Sequence, residues 1–140
     1  MVIMNATDVR KNWSVTVDTV IHEHPTFIRR TRDMIAMFNM HTMNELLRAY
    51  EFKASKFVEN DGSITLSLDD MDLIVNDRDL KTAMKAMASE IKEYAEDYYD
   101  NFAVWSVAPN RKSHIPYVMK ALTLDESEIE EVLICRAGRN

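Results

Sequence analysis

Basic side chains are concentrated in two short stretches near the start of the chain. Arg29, Arg30 and Arg32 follow one another at a predicted hairpin, and Arg10 and Lys11 lie near the beginning of a predicted helix. Guanidinium groups bind phosphate or a guanine edge through paired hydrogen bonds, and a helix N-terminus favours phosphate. This pattern is compatible with DNA binding, and equally with arginines that are only solvated surface charges.

The remaining reactive residue types do not form a recognisable catalytic or metal site. His22 and His24 are one residue apart and cannot share a helix face, and Cys135 has no histidine nearby in sequence. The two glycines, Gly62 and Gly138, do not form a phosphate-binding loop. The acidic run lacks the central glycine and closing glutamate of a calcium loop: Asp69, Asp70, Asp72, Asp77 and Asp79. We therefore predict a protein that is not an enzyme, with no metal and no cofactor.

The elements that must position the basic residues are predicted by hydrophobic spacing. Residues 2–4 read as a strand, and Thr7 is expected to cap a helix that ends before Pro25. The apolar face of this helix recurs at helical spacing: Val9, Trp13, Val17, Val20 and Ile21. Residues 26–31 and 34–39 read as two strands joined by a tight turn at Arg32 and Asp33. A capping box at 42–45 then predicts a short helix that ends near Phe52.

The rest of the chain predicts a second set of elements. Strands at 57–58 and 64–68 flank Asn60-Asp61-Gly62-Ser63, a strong hairpin signal, and residues 73–75 read as a third strand. Asp79 is expected to cap a long helix from Leu80 to about Phe102, followed by a helix after Pro109 and an acidic helix over 125–135. The fold class is α+β, with a βαββα module followed by a small antiparallel βββ unit, a long helix and C-terminal helices.

Composition and charge separate the chain into the same two parts. The 140 residues carry a net charge of −6 and are 46% hydrophobic, which is ordinary for a globular protein. Residues 1–53 have a net charge of +1, whereas residues 54–140 have −7. The single cysteine and the lack of a signal peptide or membrane-spanning run predict a cytoplasmic protein. The charge asymmetry suggests two surfaces for two partners.

The order and spacing of the N-terminal motifs resemble the Phd/YefM antitoxin module over residues 2–50. The matching stretches are Ala6-Thr7-Asp8-Val9-Arg10-Lys11-Asn12-Trp13-Ser14, Val20, Pro25, Ile28-Arg29-Arg30 and Ile35-Ala36-Met37-Phe38. This resemblance implies a homodimer, or a higher even oligomer, that binds a palindromic operator through Arg10 and Arg30. The sequence departs from the family at the hairpin, where Arg32 stands in place of a glycine and Met34 in place of a proline.

The second part resembles a HicB-like or RelB-type antitoxin region. The likeness rests on the βββ strands and their helix, and on Tyr94-Ala-Glu-Asp-Tyr98-Tyr99, Ala108-Pro109-Asn110-Arg111 and His114-Ile115-Pro116-Tyr117. It implies a toxin-neutralising region over residues 53–140, beside a dimerising and DNA-binding module over residues 1–52. The expected toxin contacts are Tyr94, Tyr98, Trp105, Ile129, Val132 and Leu133.

Taken together, these features predict the antitoxin of a type II toxin–antitoxin system. Such a protein binds and inhibits its toxin and represses its own operon. The acidic second part suits a small basic toxin, and equally fits a solubilising surface. The alternative is a dimeric scaffold protein that kept the module and lost DNA binding, which the near-neutral first part would suit.

Overall fold

The computed structural model describes residues 1–138, and the chain divides there into two compact units. Unit 1 is Met1–Leu46, and unit 2 begins at Leu47. Tyr50 and Phe52 belong with unit 2, because the Tyr50 ring meets Tyr117 edge-on at 5.5 Å and Phe52 is buried in the unit 2 core. The division therefore precedes the sequence-based boundary at residues 52 and 53. None of the helices in residues 1–138 is long and apolar enough to cross a membrane.

Unit 1 contains a three-stranded sheet and three helices. In chain order its elements are β1 (Ile3–Asn5), α1 (Ala6–Lys11), α2 (Trp13–His22), β2 (Thr26–Arg30), β3 (Asp33–Met37) and α3 (Met40–Leu47), which crosses into unit 2. The strand order is β1-β2-β3, with β1 parallel and β3 antiparallel to β2. A parallel pair needs a crossover connection, and α1 and α2 supply it.

Asn12 breaks the predicted single helix into two. Its backbone leaves the helical region, its side-chain amide donates to the carbonyl of Asp8 at 3.0 Å, and its own carbonyl accepts from the Thr16 hydroxyl at 3.0 Å. The break shifts the buried face, so Val9, Thr16 and Val20 are buried while Trp13 is exposed. The order is therefore βααββα rather than βαββα, and the predicted apolar face is only partly correct.

Two predicted caps are also wrong. Asn5 caps α1 because its side-chain oxygen accepts from the Thr7 amide at 2.8 Å, so Thr7 lies inside the helix. Asn39 accepts from the Thr42 amide at 2.9 Å, and α3 begins at Met40 instead of at the predicted capping box. Both asparagines are strong cap formers, and the sequence interpretation passed over them.

Unit 2 packs helices against a four-stranded sheet. Its elements are β4 (Lys53–Val58), β5 (Ile64–Leu68), β6 (Ile74–Asp77), α4 (Leu80–Asp100), α5 (Phe102–Trp105), α6 (Ile115–Leu122), α7 (Glu126–Val132) and β7 (Ile134–Ala137). Asp79 caps α4 through the Thr82 amide, and Gly62 takes a φ of +85° in the predicted hairpin. Both features agree with the sequence prediction.

The C-terminal strand β7 corrects the predicted fold of unit 2. Residues 125–135 were expected to form one acidic helix, but α7 ends at Val132 and the chain continues as β7. Strand β7 lies parallel to β4, so the sheet order is β6-β5-β4-β7 and the sheet is mixed rather than an antiparallel βββ unit. Asp125 and Glu128 form the capping box that opens α7.

The core of unit 2 lies where α4 meets the sheet and the two C-terminal helices. Fully buried side chains come from every layer: Ala54 and Leu66 of the sheet, Met87, Ile91, Ala95 and Tyr98 of α4, Val118 of α6 and Ile129 of α7. Each large apolar side chain buried in this way contributes about 1.5–3 kcal/mol to the free energy of unfolding. The core gives a rigid frame to the surface residues that α4 and α5 carry.

Candidate functional site

A polar depression in unit 1 brings together residues from three elements. It has a volume of about 710 Å³ and lies where β1, α1 and the end of β2 meet. Its lining consists of Asn5, Ala6, Thr7, Arg10, Arg29, Arg30 and Thr31. The parallel register sets Asn5 opposite Arg29, which explains why the start of α1 reaches the end of β2. Three of the five predicted DNA-binding residues therefore border one concave surface.

The predicted basic residues differ in position within this site. Arg10 and Lys11 occupy the last turn of α1, not its N-terminus as expected, so the helix dipole does not assist their binding of an anion. Arg29 and Arg30 are exposed and adjacent in β2, where successive side chains point to opposite faces. Lys11 and Arg32 are exposed but do not line the depression.

In the hairpin between β2 and β3, Thr31 has a strained backbone conformation. Arg30 pairs with Asp33, so the loop has two residues, Thr31 and Arg32. Thr31 has a φ of +58°, a region that β-branched residues rarely adopt. The resemblance placed the family glycine at position 32, whereas the positive φ falls one residue earlier. The strained residue of the hairpin is therefore Thr31, directly after Arg30.

An apolar surface lies beside the polar depression. A second depression of about 540 Å³ is lined by Ala6, Val9, Arg10, Trp13, Ile28, Ile35 and Met37. Trp13 is 56% exposed and Ile35 59%, and β3 is an edge strand with exposed residues on both faces. Large exposed apolar side chains on an unpaired edge mark an interaction surface. Ala6 and Arg10 border both depressions, so the two surfaces share two residues of α1.

Three of the six residues predicted to contact a toxin are buried in unit 2. Tyr98 and Ile129 are fully buried, and Leu133 is nearly so, because all three pack in the core between helices and sheet. Their side chains cannot touch a partner in this conformation. Tyr94 and Trp105 are partly buried against that core, and Val132 on α7 is exposed.

Tyr94, Trp105, Arg111 and His114 form an aromatic and basic cluster. The Arg111 guanidinium lies 3.7 Å from the centre of the Trp105 ring, a cation–π contact. The hydroxyl of Tyr94 is 2.7 Å from Nδ1 of His114, and the hydroxyl of Tyr98 donates to the Arg111 carbonyl at 3.0 Å. Burial raises the pKa of Tyr94 and of Tyr98, so both phenols stay protonated at neutral pH. These contacts hold the segment after α4 in place.

The remaining candidate groups are the potential metal ligands and the thiol of Cys135. Within residues 1–138, no set of three or more His, Cys, Asp or Glu side chains is arranged to hold a metal ion. Cys135 lies in β7, half-buried, and burial raises the pKa of its thiol. A thiol with a raised pKa is a weak nucleophile at neutral pH.

Comparison with known proteins identifies the family of this chain. A family model described as PHD_like, antitoxin of toxin-antitoxin, RelE / RelB, TA system, matches residues 1–135. The chain belongs to this antitoxin family. Membership indicates a regulatory, non-enzymatic protein with a toxin as partner.

A solved structure supports the same assignment. The crystal structure of an antitoxin part of a proposed toxin/antitoxin system from Syntrophomonas wolfei subsp. wolfei superposes with a TM-score of 0.90. The two sequences are 31% identical, and the similarity covers 99% of this chain and 100% of that one. A comparison with curated proteins finds no match.

Proposed function

We propose that this antitoxin is of type II and that its two units serve two partners. Unit 1 is a Phd/YefM-type module that dimerises and binds operator DNA, which represses its own operon in the cytoplasm. Unit 2, whose HicB-like or RelB-type character the sequence suggested, binds and inhibits a small basic toxin. The observation that carries the DNA assignment is the polar depression that Asn5, Arg10, Arg29 and Arg30 line.

The depression suits a phosphate backbone for physical reasons. Its three arginines are exposed, and guanidinium groups bind phosphate oxygens with two parallel hydrogen bonds. Asn5 and Thr7 add short polar side chains of the kind that position a protein on DNA without reading sequence. Arg32, at the hairpin tip, and Lys11, at the end of α1, are further exposed basic residues close in sequence to those that line the depression. Phosphate contacts supply most of the affinity of such a surface.

Dimerisation would complete the DNA-binding surface. The edge strand β3 and Trp13 expose apolar area beside the arginines, and a second copy of unit 1 covers it in our proposal. Two depressions related by a two-fold axis then face two half-sites of a palindromic operator, since protein symmetry is mirrored in the operator. Homodimers with two-fold symmetry are the commonest soluble oligomers.

The test is the salt dependence of binding to the DNA upstream of the gene. We expect Arg10→Ala and Arg30→Ala each to weaken binding and to reduce the slope of log affinity against log salt by about 1.8, because each substitution removes one phosphate contact at each of the two half-sites and each contact contributes about 0.9. Arg78→Ala is the matched control, since Arg78 is an exposed arginine in unit 2. Fluorescence anisotropy with a labelled promoter fragment measures both quantities.

An unchanged affinity and slope in both variants would contradict DNA binding by this surface. A wild-type protein that dimerises but does not bind the promoter would favour the second candidate function, a dimeric scaffold. The equal numbers of acidic and basic residues in residues 1–46 favour that candidate, because a neutral surface attracts DNA weakly at long range. Toxin inhibition is tested separately, by co-expression of this chain with the product of the neighbouring gene and measurement of growth.

A further inference from the structure

Unit 2 carries an apolar surface that its own core does not use. Residues 101–110 contain no charged side chain, in a chain of which 29% of residues are charged. Phe102 and Trp105 turn inward and pack against the core of unit 2. The neighbouring large apolar side chains are exposed to solvent. Val104 is 70% exposed, Val107 is 72% exposed, and Tyr99, near the end of α4, is 65% exposed.

These exposed side chains come from one short stretch of the chain. Val104 lies in α5 and Val107 in the turn directly after it, three residues further along the chain. Tyr99 and Ala103 are four residues apart, across the junction of α4 and α5 that Asn101 forms. We call Tyr99, Ala103, Val104 and Val107 the apolar patch. A cluster of exposed apolar residues on a small protein marks a site of association.

The apolar patch is held rigidly. Trp105, which lies between its two valines, is fixed by the Arg111 guanidinium at 3.7 Å and by the rings of Tyr94 and Tyr98 at 6.0 and 5.7 Å. The Tyr98 hydroxyl donates a hydrogen bond to the Arg111 carbonyl. A surface whose underlying side chains are fixed loses little conformational entropy when a partner binds, and this favours affinity.

Acidic residues border the apolar patch on the α4 side. Glu93, Glu96, Asp97 and Asp100 are all exposed and recur at spacings of three and four, so they share a stripe of α4 that leads to Tyr99. Lys112 is an exposed base beyond the other end of the uncharged stretch. An apolar centre with a charged rim is the usual anatomy of a protein–protein interface, and depletion of charge at its centre is the distinguishing feature.

We propose that the apolar patch is where unit 2 binds the toxin, through an apolar pocket of the toxin that is flanked by lysines or arginines. This inference rests on the proposed antitoxin function and replaces buried Tyr98, Ile129 and Leu133 as toxin contacts. The acidic stripe selects the partner: it attracts a basic protein, and it repels a second copy of itself, because two copies would place their carboxylates face to face.

The experiment compares valines of similar exposure at different places in unit 2. Val104→Ser and Val107→Ser remove apolar area from the patch, and Val58→Ser removes it at the end of β4, where Val58 is 61% exposed. The probe is the protein encoded by the neighbouring gene, and its affinity for the full-length chain is measured by biolayer interferometry. We expect Val104→Ser and Val107→Ser each to weaken binding about tenfold, and Val58→Ser to leave it unchanged.

A second pair of variants tests the acidic stripe. Glu96→Lys with Asp100→Lys should slow association about tenfold at low salt, with a smaller effect at high salt, because rim charges act mainly on the association rate. Glu51→Lys with Glu59→Lys changes the net charge equally at other exposed positions of unit 2 and should leave the rate near that of the wild type. Circular dichroism and urea unfolding verify that each variant is folded.

The outcomes separate the patch from the proposed function. Wild-type protein that neutralises the toxin, with Val104→Ser and Val107→Ser binding as tightly, overturns the patch and leaves the antitoxin function standing. Equal weakening by Val58→Ser also overturns it, as does a loss of self-association in the patch variants, which would make a second copy the occupant. Failure of the wild-type chain to bind or neutralise the neighbouring gene product overturns the proposed function and this inference together.

Discussion

At the scale of single residues, His114 is buried between α4 and the loop that joins β5 to β6. Its Nδ1 lies 2.7 Å from the Tyr94 hydroxyl, and its Nε2 lies 3.9 Å from a carboxylate oxygen of Asp72. Burial lowers the pKa of His114; Asp72 and Asp70 oppose this shift, and Arg111 adds to it. A neutral ring that accepts from Tyr94 keeps its proton on Nε2, facing the acidic loop.

This lowered pKa predicts a loss of stability in mild acid. The unfolded chain binds a proton at His114 near pH 6.5, whereas the folded chain resists protonation, so the free energy of unfolding falls as pH decreases from the unfolded pKa through the folded one. Above pH 7 the contribution is constant. Urea unfolding at pH 7.5 and pH 5.5 measures it: the wild type should lose more stability between these values than His114→Gln, which cannot titrate.

Residue-level prediction from sequence succeeds where the signal is local. The Asn60-Asp61-Gly62-Ser63 hairpin and the Asp79 cap are read from residues adjacent in the chain, and both are present. The basic residues could be chosen by type, but the approach of Arg10 to Arg29 depends on the parallel register of β1 and β2, which no local pattern contains. The apolar patch had a local signal, the uncharged stretch at 101–110, that helical periodicity did not reveal.

At the scale of elements, the sequence interpretation failed at β7 because its partner is distant. Ile134 and Cys135 continue the apolar spacing of α7, which predicts that the helix includes them. In the structure they pair with Lys53 and Ala54, about 80 residues earlier in the chain. The long helix α4 was predicted well because apolar residues recur at helical spacing along its 21 residues, a pattern that identifies a helix whatever its end residues are. Asn12 divides α1 from α2 through contacts of its own side chain and carbonyl, which short-range propensity does not predict.

Lys92 joins two elements, and its loss should destabilise unit 2. Its ammonium group donates to the carbonyls of Ala121, Leu122 and Leu124 at 3.2, 3.4 and 2.6 Å, where α6 ends. A cation at a helix C-terminus satisfies carbonyls that have no helical partner. We expect Lys92→Met to reduce the free energy of unfolding by about 1.5–3 kcal/mol, the usual contribution of charged hydrogen bonds. Urea unfolding followed by tryptophan fluorescence measures this change.

The control for this prediction lies on the same helix. Lys85 is exposed on α4, so Lys85→Met should change the stability by less than about 0.5 kcal/mol. Equal losses in the two variants would mean that charge or helix propensity, rather than the contact with α6, accounts for the effect. A small loss in Lys92→Met alone would mean that water replaces the ammonium group at the three carbonyls.

At the scale of the whole molecule, the two units differ in how complete they are. Five elements of unit 2 contribute buried side chains to its core, whereas unit 1 buries few large side chains and leaves Trp13, Met34 and Ile35 exposed. Small domains with exposed apolar surface gain stability from association. The proposed dimer therefore makes the stability of unit 1 depend on protein concentration, and that of unit 2 independent of it.

The two tryptophans allow this difference to be measured within the intact chain, because Trp13 lies in unit 1 and Trp105 in unit 2. In Trp105→Phe the fluorescence reports on unit 1. We expect the apparent free energy of unfolding of unit 1, per mole of dimer, to rise by about 1.4 kcal/mol for each tenfold increase in protein concentration, as mass action requires. In Trp13→Phe the fluorescence reports unit 2, whose urea midpoint should not move. A midpoint for unit 1 that is independent of concentration would contradict the dimer, and with it the two-fold operator, while the arginine surface would remain as a binding site for a single half-site.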